Sequence, residues 1–147
     1  MAKPVIDGDT SYFHYYNANP KDVRTSDCVV RAICTALDEP YEYVATDVFY
    51  FGLELGLDHC DKECVEKYLE YRGWKRCKQP VKSNSKKFRA HEFCKKLTED
   101  RVTDNSAVLA FVGSHHMVAI VNEGFGFRVW DTWNSSECVV GRYWVKG

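Results

Sequence analysis

The hydrophobic pattern of this 147-residue chain changes period once, and that change bounds what it can fold into. Between residues 28 and 97 apolar side chains recur at helical spacing; from residue 107 onward they gather in short β-branched and aromatic runs. Val30, Ile33, Cys34 and Leu37 stand at i, i+3, i+4 and i+7, with Asp27 in the N-cap place and Asp38-Glu39-Pro40 ending the run. A second helix is expected over residues 41–55, with Val44, Val48, Phe51 and Leu55 inward and its end weakened by Gly52 and Gly56. A third is expected over 61–71, burying Cys64, Val65, Tyr68 and Leu69 and stopped by Gly73. Residues 74–77 read as a short strand, 80–87 as a polar loop, and 90–97 as a fourth helix with Phe93, Cys94 and Leu97 inward. Residues 1–24 are rich in aromatics but irregular, with Asn19-Pro20 marking a turn. The late runs 107–112, 116–121, 127–131 and 139–145 are divided by Gly113, Asn122-Glu123-Gly124 and Asn134-Ser135-Ser136. Helices first and a meander second predict an α+β fold, with N-terminal helices packed on a C-terminal antiparallel β-sheet in one domain, 1–147.

Composition narrows the class of protein. With 45% hydrophobic residues the chain can bury roughly 70% of its unfolded surface without disulfide staples. Twenty basic residues against 21 acidic ones give a net charge of −1, so nothing draws the chain as a whole to nucleic acid or to anionic lipid. The basic stretch 82–89 reads as a solvated loop. Neither a signal peptide nor a run of ~18 apolar residues is present, so no membrane association and a cytoplasmic location are expected. Seven cysteines are an odd number, which in a reducing compartment suits free thiols better than a closed disulfide framework. His59-Cys60-Asp61-Lys62-Glu63-Cys64 offers one Cys-x3-Cys and no second pair, even with Cys77 or His91 considered, so neither a metal nor another cofactor is expected.

Three residues carry the chemistry. Cys28 opens the first helix, where orphan N–H dipoles favour a thiolate. His116 starts an apolar strand, and Asp131 ends the next, fifteen residues later. Two adjacent antiparallel strands would bring that imidazole and that carboxylate side by side. A thiol, a base and a group that orients the base are the parts of an activated nucleophile. His115 is an alternative base, although strand alternation turns only one of the pair toward the helix. Trp130, Trp133, Tyr143 and Trp144 are candidates to line a groove beside this site or to pack the sheet.

The segments Asp27-Cys28-Val29-Val30-Arg31-Ala32, His116-Met117-Val118-Ala119-Ile120-Val121 and Val129-Trp130-Asp131-Thr132-Trp133 resemble those of the papain-like cysteine peptidase superfamily. They are most similar to small bacterial and phage-encoded papain-like proteins and to bacteriocin-leader peptidases. The resemblance implies a papain-like fold and a Cys28 nucleophile, with His116 as general base and acid and Asp131 orienting it. It also implies a peptide or protein substrate whose amide or isopeptide bond is cleaved through an acyl-enzyme. Those peptidases carry a Gln six residues before the Cys, where this chain has Asp22, an acceptor that cannot donate to an oxyanion when ionised. The Cys28 N–H and one of Asn17, Asn19, Arg24, Thr25 or Ser26 are then left as donors, with Asn19 the first choice. The same departure motivates a rival expectation, a papain-like binding or inhibitor protein without turnover, such as a phage host-interaction or anti-defence protein. A transglutaminase-like or amidase reaction on the same three residues is a third.

Overall fold

The computed structural model describes residues 7–23, 25–100 and 107–147. Among them are four helices and one six-stranded sheet, an α+β arrangement. In chain order the elements are β1 (Phe13–Tyr15), α1 (Cys28–Leu37), α2 (Tyr41–Leu55), α3 (Lys62–Tyr71), β2 (Trp74–Cys77) and α4 (Ala90–Glu99). β3 (Ala107–Val112), β4 (His116–Asn122), β5 (Phe127–Asp131) and β6 (Val140–Lys146) follow. Across the sheet they lie in the order β1-β5-β4-β3-β6-β2.

This corrects the expected layout in three ways. Within the stretch expected to be irregular, β1 pairs parallel with β5, so the sheet is mixed. β6 returns to lie beside β3 instead of continuing the meander past β5. The helices also divide between the two faces. Residues of α1, α2 and α3 pack with Ala107, Leu109, Phe111, Met117, Ala119 and Trp144. Phe93, Cys94 and Leu97 of α4 pack on the other side with Val108, Ala110, Val112, Val118 and Ile120. Coverage on both faces is why β3 reads as an unbroken apolar run and is buried at all six positions.

α1 lies at the centre of the first layer. Val29, Val30, Arg31, Ala32, Ile33, Cys34 and Ala36 are all buried, so the helix is enclosed nearly all round. α3 buries the four side chains expected of it, capped by Asp61, whose Oδ1 accepts from the Glu63 N–H at 2.9 Å. α2 differs from its expected face: Val44 and Val48 are buried, but Leu55 is exposed and Gly52 takes the third inward place. A Cβ at Gly52 would stand 2.8 Å from the Leu57 carbonyl oxygen. This glycine therefore lets the 57–59 turn lie directly on the helix. No helix of the described residues is long and apolar enough to cross a membrane.

Candidate active site

Cys28 is the first residue of α1 and is half-buried. Asp27 holds the N-cap position, but against expectation its side chain makes no capping hydrogen bond. Its carboxylate turns aside, accepting from Arg31 Nε at 2.7 Å, the Tyr41 hydroxyl at 2.8 Å and Asn19 Nδ2 at 3.0 Å. The first-turn N–H groups, which have no intrahelical carbonyl partner, are thus left without a competing carboxylate. Their dipoles favour an anion at the helix start, where Cys28 stands.

His116 opens β4, directly after the turn in which His115 is exposed. Its Nε2 lies 2.6 Å from Asp131 Oδ2, and the ring adjoins the Cys28 thiol closely enough to lower its pKa. With Nε2 engaged by the carboxylate, Nδ1 is the nitrogen available to sulfur. Trp133 packs on the imidazole with ring centroids 4.9 Å apart. Asp131 is 2% exposed, and besides His116 it accepts from Ser135 Oγ at 2.7 Å, its neighbour's Thr132 N–H at 2.7 Å and Arg31 Nη1 at 3.1 Å. β1 fixes the backbone beneath it: Tyr15 is in register with Asp131, and the Tyr16 N–H donates to the Asp131 carbonyl at 2.9 Å. Cys28, His116 and Asp131, named from three separate segments of sequence, therefore meet.

The electrostatics separate Cys28 from the other thiols. Burial pushes its pKa up, but the His116 hydrogen bond, the Met117 N–H and the positive charges of His116 and Arg31 outweigh burial and lower it. Burial raises Cys34 to about 11 and Cys94 to about 12, and it also raises Cys64 and Cys138. Cys60 is the exposed thiol, yet it donates to Asp58, and that hydrogen bond to a carboxylate raises it to about 11. His116 moves the other way from an ordinary buried imidazole. Desolvation lowers it, but hydrogen bonds to Asp131 and Cys28 and their negative charges raise it to about 9. A lowered thiol beside a raised imidazole is the direction in which proton transfer from sulfur to ring becomes easier.

Arg31 belongs to the site as well. It is 8% exposed and bridges Asp27 and Asp131, so one guanidinium ties α1 to the end of β5. The available signal was a lone charge in an apolar helix, one turn after an aspartate. Ser135, which in the sequence marks only a turn, donates to the Asp131 carboxylate.

The remaining candidates fall elsewhere. The Asn19 amide nitrogen faces the Asp27 carboxylate and, at 3.4 Å, the Tyr41 hydroxyl, which makes it a support for Asp27. Asn17 donates to the Val23 carbonyl at 3.0 Å. Asp22 is exposed in a turn with φ of 52°, and Thr25 and Ser26 are exposed as well. Arg24 lies outside the described residues. Of the aromatic candidates, Trp133 adjoins the imidazole, while Trp144 packs on Phe111 and Tyr143 on Phe93 within the layers. Cys64 is fully buried on α3, and the donor atoms that cluster near it in sequence belong to Asp58, His59 and Cys60. No protein-family model matches the chain, and no curated protein or solved structure matches it either.

Proposed function

We propose that this protein is a cysteine hydrolase acting on a peptide or isopeptide bond, as the papain-like likeness of its three motifs implies. One observation carries the reading: the Cys28 thiol at the start of α1 adjoins an imidazole whose Nε2 lies 2.6 Å from a buried carboxylate. In the reaction, the Cys28 proton passes to His116 and the thiolate attacks the carbonyl carbon. The C–N bond then breaks as His116-H⁺ protonates the leaving amine, which leaves a thioester on Cys28. Water, deprotonated by the now neutral His116, attacks that thioester and regenerates the thiol. Asp131 holds the imidazole in the useful tautomer and stabilises its cation. The Cys28 N–H, at the uncapped start of α1, is the first donor to the oxyanion; one such donor contributes about 3 kcal/mol to the barrier.

A thiol-directed electrophile at neutral pH is expected to modify Cys28 first among the seven cysteines. Peptide mapping by mass spectrometry after limited iodoacetamide treatment reads this directly. Exposure alone would favour Cys60, so modification of Cys60 or Cys138 with Cys28 untouched would remove the basis of the proposal.

A second reading is favoured by the engaged amides of Asn17 and Asn19 and by Asp22 in the turn. A site whose Asn17 and Asn19 amides are held elsewhere suits a protein that binds a partner at these residues without turning it over. Biological activity that survives Cys28→Ala would select this reading.

A further inference from the structure

We propose that the basic pocket flanking the β3–β4 hairpin is a subsite for an anionic side chain of the substrate polypeptide, an inference that rests on the hydrolase reading. The pocket encloses about 410 Å³, within the size range of ligand-binding clefts. Lys62, Arg76, Lys78 and Arg142 supply its charge, with Phe111 and the Gly113 and Gly141 backbone between them. Among the described residues a single carboxylate answers these four cations. Glu66 pairs with Arg142 and lies 3.5 Å from Arg76. Lys62 and Lys78 form no ion pair among the described residues, and the Lys62 ammonium sits over the Phe111 ring, 5.3 Å from its centroid.

The strand register places this pocket beside the reacting groups. Phe111 is paired with Met117, the residue after His116, and Val112 is paired with His116 itself. Partners in an antiparallel ladder are ~5 Å apart at Cα. Gly113 begins the turn that leads into His116. β6 is also deformed here. Ala110 pairs with Tyr143 and Val112 with Val140, so Gly141 and Arg142 together oppose Phe111. A bulge of this kind re-aims a side chain beside a site, and this one delivers Arg142 to the pocket. An extended substrate with its scissile carbonyl at Cys28 would bring a neighbouring residue over Phe111, where an acidic or phosphorylated side chain meets uncompensated positive charge.

The test uses peptides ending in an acyloxymethyl ketone, a thiol-directed group, with one position at a time set to glutamate, phosphoserine or glutamine. The rate of Cys28 modification is measured for each on the intact protein. At one position the glutamate or phosphoserine peptide is expected to react about tenfold faster than its glutamine counterpart at low salt, with the gap narrowing as salt rises. The ratio of anionic to neutral peptide within one protein cancels any general change in Cys28, and it is expected to fall to about one in the Lys62→Gln/Lys78→Gln variant. Whether glutamate, phosphoserine or both are favoured tells carboxylate from phosphate recognition. Equal rates for all three peptides, with iodoacetamide still modifying Cys28, would overturn the subsite alone. So would a preference that survives in the double variant. A Cys28 inert to iodoacetamide and to every peptide would overturn the hydrolase reading and the subsite with it.

Discussion

Replacing Arg31 with alanine is expected to lower the unfolding free energy by about 3–5 kcal/mol, because it strips the cation from two carboxylates that stay in the interior. Asp27 and Asp131 are 9% and 2% exposed, and Arg31 holds the first at 2.7 Å and the second at 3.1 Å. For a domain of this length each kcal/mol shifts the melting midpoint by roughly 2–4 °C, so a fall of roughly 6–20 °C is expected at pH 7. The pH dependence carries the diagnosis. Burial raises the Asp27 pKa, but hydrogen bonds from Arg31, Tyr41 and Asn19 outweigh it, and the folded value lies below 3.8. A depressed carboxylate stabilises the fold above its unfolded pKa, and that contribution is lost as pH falls through the folded value. Without Arg31 the Asp27 pKa rises, so the deficit of the variant should be largest near neutrality and shrink toward pH 4 as the carboxylate protonates. Thermal denaturation of both proteins across that range checks this. A deficit below about 1 kcal/mol that does not change with pH would mean the buried bridge contributes no more than a surface pair.

Removing His116 should silence the thiol without removing it. Burial acts most strongly on Cys28 and raises its pKa; the neighbouring His116 and its charge are what chiefly oppose burial. In His116→Ala that opposition is left to the Met117 N–H and the Arg31 charge, so the thiol is expected to rise to or above its ordinary value of 9.0. At pH 7 such a thiol is about 1% ionised. A more basic thiolate is also the better nucleophile, which recovers part of the loss, so alkylation of Cys28 is expected to fall by about tenfold or more. Turnover on any cleavable peptide should fall further, by about 10⁴-fold or more, because the leaving amine loses its proton donor as well. Cys28→Ala should abolish acyl-enzyme formation outright. The pair of variants separates a reactive thiol from a catalytic one. If His116→Ala alkylates as fast as the parent at pH 7, the imidazole does not activate the sulfur.

What the sequence made legible was local. The inward residues of α3 followed from i, i+3 and i+4 spacing, and the strands from β-branched runs bounded by glycine and asparagine. Its limits lay where a residue's fate depends on something distant. β1 is only three residues long, too short to show alternation, and it exists because Phe13–Tyr15 finds the edge of β5 more than a hundred residues away. The period of α4 showed which side faces inward, but not which face of the sheet receives it. The order of β6 beside β3 could not be read from the strand itself.

The site divides along the same line. Cys28, His116 and Asp131 each carried a local signal, namely a helix start, a strand start and a strand end. Arg31 and Ser135 did not, since their partner is the Asp131 carboxylate, and for Arg31 that carboxylate is a hundred residues away. The role expected of Asp27 failed for a related reason. Capping preference is a local tendency, and here Arg31, Tyr41 and Asn19 together draw the carboxylate away from the helix start. That diversion is what leaves the first turn of α1 open beside the sulfur.

The coupling between sulfur and imidazole is reciprocal, so the protonation of His116 measures it most directly. Titration of the His116 ring by NMR, in the parent protein and in Cys28→Ala, is the decisive experiment. The expected midpoint in the parent is about 9, held there against desolvation by Asp131 and Cys28, and it should move down when the sulfur is removed. A midpoint at the ordinary histidine value of 6.5, unmoved by Cys28→Ala, would contradict the ion pair on which the proposed chemistry stands.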